Sequence, residues 1–254
     1  MNIITDHMDR WKTAGILLLI VAIVGIIDNH FLTWLFLGAV YLVAFYEATR
    51  LFEATETRLF LYAIVIWIAA GLYPHASDLL LFALVVFAGS LAYWRRIEPQ
   101  GFLPLLYPTA GMLFVWMLDL TYGMGALVWM LVIVALTDVG AFFTGKAIGK
   151  TLFCATSPNK TLEGVIGGVL AGTIGGTLTA PGLMHISFFA ALFISLAAAK
   201  TSIFGDLFES YLKRKAGVKD SGKLLPGHGG ALDRIDGYLF SAVVMYVLLQ
   251  ALGY

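Results

Sequence analysis

The chain has 254 residues, of which 60% are hydrophobic and only 13% charged, and its mean hydropathy is +0.87. That composition excludes an ordinary soluble domain and puts the chain in the polytopic membrane class. Sixteen basic residues balance sixteen acidic ones, so nothing in the total points to a nucleic-acid partner, and the lone Cys154 excludes an internal disulfide or a CxxC metal site.

From the amino end, Arg10 and Lys12 precede an apolar run from Ala14 to Ile27. Asp28, Asn29 and His30 follow where a secretory signal would carry small residues for cleavage, so the run reads as a first membrane helix. Apolar stretches lie near 13–27, 31–46, 59–73, 77–94, 102–118, 122–144, 165–180, 186–205 and 237–253. Each has about the length needed to cross roughly 30 Å of hydrocarbon. A bilayer leaves backbone groups no aqueous partners, so these spans must be helical. The expected fold class is all-α, a polytopic integral membrane helical bundle of about nine transmembrane helices.

Lysines and arginines gather in alternate connections, as they do on the cytoplasmic side of a membrane. Arg10 and Lys12 precede span one, Arg50 and Arg58 lie between spans two and three, and Arg95 and Arg96 between four and five. Lys146, Lys150 and Lys160 lie between six and seven; Lys213, Arg214, Lys215, Lys219, Lys223 and Arg234 lie between eight and nine. The opposite connections, near 28–30, 74–76, 119–121 and 181–185, hold neither residue. The expected topology has the N-terminus cytoplasmic and the C-terminus outside. Lys200 alone of the basic residues falls within a span, where it either pairs with an acid or snorkels to the interface.

Residues 1–135 read as N-terminal membrane helices, and 136–254 as a catalytic membrane region with cytoplasmic loops 145–164 and 206–236. Span seven carries Gly164, Gly168, Gly172 and Gly176, a four-residue spacing that lets a neighbouring backbone approach closely. The stretch "GAFFTGKA" from Gly140 nearly fits a nucleotide-binding P-loop. Ala147 stands where that loop needs a hydroxyl, and an apolar span precedes it in place of a strand, so it is rejected.

Asp206 ends span eight, and Asp233 and Asp236 open span nine. Antiparallel neighbours would bring all three acids to one membrane boundary, with Asp233 and Asp236 on one helix face. Such carboxylates suit Mg²⁺, which takes one or two protein oxygens and fills its other positions with water and substrate phosphates. They equally suit a helix amino terminus. The cations of the loop before Asp236 match either phosphate groups or anionic lipid headgroups. Pro226, Gly227, Gly229 and Gly230 around His228 form either a phosphate-contacting loop or a plain turn. His228 itself is either a phosphate or proton-handling group or a structural hydrogen-bonding one.

Ser210 to Asp236, "SYLKRKAGVKDSGKLLPGHGGALDRID", closely resembles the signature of the phosphatidate cytidylyltransferases, also called CDP-diacylglycerol synthases. "SPNKTLEG" from Ser157 and "GDLFES" from Gly205 resemble two further blocks of that family in the expected order. The resemblance covers about residues 138 to 237; Gly237 and Val139 depart from it where many members carry hydroxyl residues. It implies that CTP and phosphatidate condense to CDP-diacylglycerol and pyrophosphate, with Mg²⁺ as cofactor and a second metal or a monovalent cation left open. Asp206 and Asp233 are then metal ligands, and Asp236 a third ligand or a group behind them. Ser157, Asn159 and Lys160 bind nucleotide or phosphate; Lys213, Arg214, Lys219 and Arg234 hold phosphate charge; Asp220 and His228 order the loop. The implied partners are the two substrates and membrane lipids, with a homodimer left open, and the implied location is a bacterial inner membrane with the site facing the cytoplasm. A transporter and a CTP-dependent lipid kinase are the rival functions.

Overall fold

The computed structural model describes residues 3–54, 56–76, 78–94, 99–224 and 229–254. His228, Pro226, Gly227, Arg95 and Arg96 lie outside the described residues. The chain is helical: α1 Ile3–Ile27, α2 His30–Leu51, α3 Thr57–Leu72, α4 Asp78–Trp94, α5 Phe102–Leu106, α6 Thr109–Tyr122, α7 Met124–Ile148, α8 Leu162–Met184, α9 Phe188–Lys215 and α10 Leu232–Ala251. Among the described residues, five helical segments are long and apolar enough to cross a membrane: 30–51, 102–122, 124–148, 162–184 and 188–215, with shorter apolar helices at 15–27, 57–72 and 78–93. The structure is thus an all-α membrane bundle.

Two helix ends depart from the apolar pattern. The expected fifth span, 102–118, breaks between α5 and α6 at Tyr107 and Pro108, because proline has no N–H with which to continue a helix. α9 runs on to Lys215, ten residues past the apolar stretch. Its polar extension is held by an i,i+4 ion pair of 2.6 Å between Lys213 and the fully buried Glu209, so the start of the expected loop 206–236 is helix.

The chain forms two compact units, residues 1–116 with 215–235, and residues 117–214 with 236–254. This division differs from one at 135/136: residues 117–135 belong with the second unit, and most of the signature loop belongs with the first. In the first unit, reciprocal indole bonds join α2 and α3, Trp34 Nε1 to Trp67 O at 3.1 Å and Trp67 Nε1 to Trp34 O at 3.2 Å. Trp116 Nε1 donates to Ala70 O at 2.9 Å. These bonds satisfy the one polar atom of each otherwise apolar ring.

In the second unit α7 and α8 pack most closely. The small-residue ridge of α8 lies on α7 at the same four-residue spacing: a side chain at Gly164 would come within 2.9 Å of Ala141 O, and one at Gly172 within 2.8 Å of Ile133 O. Trp129 Nε1 locks the contact by donating to Gly176 O at 2.9 Å. The ridge is therefore a helix-packing device. The segment "GAFFTGKA" lies within α7 up to Ala147, so it forms helix and no phosphate loop.

Candidate active site

The second unit gathers residues from separate sequence blocks. Between α7 and α8, residues 149–161 double back on themselves: Phe153 N donates to Lys160 O at 2.9 Å, Leu162 N to Thr151 O at 2.9 Å, and Lys160 N to Ser157 O at 3.0 Å. Thr161 caps α8 by accepting from Gly164 N at 3.2 Å. Glu163, in front of the apolar stretch 165–180, ties the loop down. It accepts from Thr151 Oγ1 at 2.7 Å and from Lys150 N and Thr151 N at 3.1 Å each. The Thr151 hydroxyl, joined by those backbone N–H groups, holds the Glu163 carboxyl well below the usual range, at about 2.

This tight loop carries Lys160 to Asp206 on α9, where the ammonium and carboxylate form an ion pair. Both remain partly accessible, at 25% and 35% exposure. Asp206 in turn lies within electrostatic reach of Asp236 on α10, and so do Asp138 of α7 and Lys213 of α9. Gly205 explains the closeness of these two acids. A side chain there would come within 3.0 Å of the Asp236 carbonyl carbon and 3.1 Å of Gly237 Cα, so α9 and α10 touch backbone to backbone. Ser241 Oγ to Ala198 O at 3.0 Å and the Phe208–Phe240 ring contact at 5.7 Å fix the same pair of helices.

The first unit holds another group of acids. Asp233, in the first turn of α10, accepts through Oδ2 from Gly230 N at 2.8 Å and from Ser221 N and Oγ at 3.0 Å each. Beside it Glu47 of α2, only 3% exposed, accepts from Leu232 N at 2.8 Å, Ser221 Oγ at 2.9 Å and Ala231 N at 3.1 Å. Gly229 makes the turn with φ +83°, and its would-be side chain faces Asp220 and Asp233. The N–H groups of residues 230 to 232 are thus spent on these two carboxylates. A groove of about 580 Å³ lies alongside, lined by Leu42, Val43, Tyr46, Phe60, Arg50 and Lys223 among others.

Of the expected site residues, the structure brings Lys160, Asp206, Asp236 and Lys213 together in the second unit, with Ser157 half-buried and Asn159 exposed on the same loop. Arg214 is exposed on the last turn of α9, and Lys219, Asp220 and Arg234 are exposed in the first unit. Lys200 is exposed on α9. Sequence reasoning missed Glu47, Ser221 and Glu209. The available signal for Glu47 was an ionisable residue in an apolar helix, "AFYEATR", which is costly enough to imply a partner.

Among the described residues no three histidine, cysteine or acidic side chains cluster closely enough to hold a metal on their own. The Asp206 and Asp236 pair, hard oxygen donors from facing helices, fits a cation that completes its shell with water and substrate phosphates.

Residues 8–252 match the model of the cytidylyltransferase family. A phosphatidate cytidylyltransferase of Helicobacter pylori (strain J99) is 43% identical over 244 residues, covering 96% of this chain and 92% of that protein. The phosphatidate cytidylyltransferase of Brucella suis is 35% identical over 85% of this chain and 86% of its own length. That of Bacillus subtilis is 39% identical over 60% of this chain and 59% of its own length.

Proposed function

This chain belongs to the cytidylyltransferase family, and from that premise we propose how it works: as a CTP-using nucleotidyltransferase that condenses CTP with phosphatidate to give CDP-diacylglycerol and pyrophosphate. An oxygen of the lipid phosphate forms a bond to the α-phosphorus of CTP. The bond from that phosphorus to the oxygen shared with the β-phosphate breaks, and pyrophosphate leaves with the electron pair. The difficulty is electrostatic, since two polyanions must meet at a membrane surface that is itself negative. Transfer of this kind depends mainly on positioning and on charge held in place beforehand.

The observation that carries this assignment is the meeting of three sequence blocks in the second unit. Lys160 comes from "SPNKTLEG", Asp206 from "GDLFES" and Asp236 from the end of the long signature. Asp206 and Asp236 hold Mg²⁺, which when bound supplies Lewis-acid charge to the phosphate oxygens. Asp233 is a metal ligand by its resemblance to the family signature. Its hydrogen bonds through Oδ2 orient the carboxylate, as ligand carboxylates commonly are oriented.

Lys160, held by Asp206, neutralises nucleotide phosphate, with Asn159 and Ser157 on the same loop. Lys213, Arg214, Lys219 and Arg234 add positive charge, and Asp220 and His228 order the loop. The lipid phosphate is already ionised near neutral pH, so no strong general base is needed. The nine-span topology follows from the alternation of basic connections: N-terminus cytoplasmic, C-terminus outside, in a bacterial inner membrane. The site then lies on the cytoplasmic face, where soluble CTP meets lipid that need not cross the bilayer.

The test is incubation of the purified protein with phosphatidate, Mg²⁺ and CTP labelled at either the α or the γ phosphorus. Label from the α position in the lipid product, with release of pyrophosphate, is expected. Label from the γ position in the lipid would make the protein a kinase and overturn the assignment.

A further inference from the structure

Glu47 belongs to none of the sequence blocks that carry the chemistry, yet it is the buried centre of the first unit's acid group. It receives two backbone N–H bonds, at 2.8 and 3.1 Å, and one hydroxyl bond at 2.9 Å, from residues 174 to 185 positions away in the chain. Gly222 and Gly230 pack directly on its carboxylate and leave no room for a side chain. The two carboxylates divide the donors at this helix start, Asp233 taking Gly230 N and Glu47 taking Ala231 N and Leu232 N. Burying a carboxylate is costly unless donors surround it, and here the donors all come from the signature loop.

Ser221 makes the connection specific. Its hydroxyl lies 2.9 Å from Glu47 Oε2 and 3.0 Å from Asp233 Oδ2, but a serine hydroxyl has one proton to donate. The two carboxylates are therefore linked through a single hydrogen, and the orientation of one depends on the other. We infer that Glu47 is a positioning residue: it locks Ser221 and the first turn of α10, and through Ser221 it sets the direction in which Asp233 presents its carboxylate. This rests on the assignment of Asp233 to the metal-binding reaction. Groups that orient ligand carboxylates typically change metal affinity or activity about 10- to 100-fold when removed.

Glu47→Gln in the full chain tests it, because the amide keeps the size but puts an N–H₂ group where only donors face it. Hydrogen exchange, measured without substrate, should speed up by about tenfold or more at Ala231 and Leu232. In the assay, kcat should fall about 10- to 100-fold and the Mg²⁺ concentration for half-activity should rise about tenfold. KM for CTP and for phosphatidate should stay within about threefold. Ser221→Ala, which leaves both backbone bonds to Glu47, should shift the Mg²⁺ dependence in the same direction with little change in exchange; it decides the matter if Glu47→Gln does not fold. Unchanged Mg²⁺ dependence and kcat per folded enzyme would reduce Glu47 to a cap, and unchanged exchange would refute the contact. If the wild-type protein itself fails to transfer cytidylyl groups, the assignment of the reaction falls, while the exchange result still decides whether Glu47 holds the loop.

Discussion

Two groups of carboxylates in this molecule are surrounded differently. In the second unit Asp236 stands within electrostatic reach of Asp206, Asp138 and Lys213, and Asp206 pairs with Lys160. In the first unit Glu47 and Asp233 are wrapped by N–H and O–H donors at 2.8 to 3.1 Å. Like-charged acids beside lysines hold electrostatic potential ready for a cation and phosphates. Acids satisfied by backbone donors hold a loop in place. The contrast is one of surroundings, charge crowding in the second unit against donor wrapping in the first, and substitutions can break or sharpen it.

The largest effect is expected at the second unit's acids. Asp206→Asn should lower kcat by at least about a thousandfold with little change in melting temperature. Asp233→Asn should lose comparable activity and should also lower the melting temperature, because the bonds from Ser221 N, Ser221 Oγ and Gly230 N lose their charged acceptor. Equal falls in melting temperature for the two variants would break the contrast. Next comes Lys160→Ala, which should cut kcat/KM for CTP about a hundredfold while the α-label still reaches the lipid. Gly205→Ala should follow. The added methyl pushes α9 from α10 at the Asp236 backbone, costing about 1 to 3 kcal/mol of stability and about tenfold in kcat. Full activity in this variant would show that the closeness of the two helices does not matter to the site.

The sequence made much of this visible, and the reasons are physical. Apolar stretches announced the helices because lipid permits little else. The glycine ridge at 164, 168, 172 and 176 announced its packing against α7, since close backbone approach needs that spacing. Lys160 and Asp206 were singled out by resemblance, but their ion pair was not legible, because 46 residues separate them. Hydropathy hid the polar end of α9, which the Glu209–Lys213 pair keeps helical to Lys215. It hid Glu47 as well: one acid at the end of an apolar helix carries no spacing signal, and its partners lie far along the chain.

The smallest effect is expected at Glu163, whose carboxylate accepts from Lys150 and Thr151 in the loop that carries Lys160. Glu163→Gln removes the charge and one of the two oxygens that accept from Lys150 N, Thr151 N and Thr151 Oγ1, so the loop should loosen and KM for CTP should rise about two- to threefold, with kcat unchanged. The pH dependence has a definite sign. The Glu163 carboxyl is depressed from 4.5 to about 2, so its anchoring is fully present above about pH 4.5 and is lost as pH falls towards 2. Amide exchange at Lys150 and Thr151, corrected for the intrinsic rate, should therefore be flat from pH 8 to about 5 and accelerate below that. In Glu163→Gln the fast exchange should already be present at neutral pH. Exchange that rises through pH 6 in the wild-type chain would place the loop's anchor on some other group.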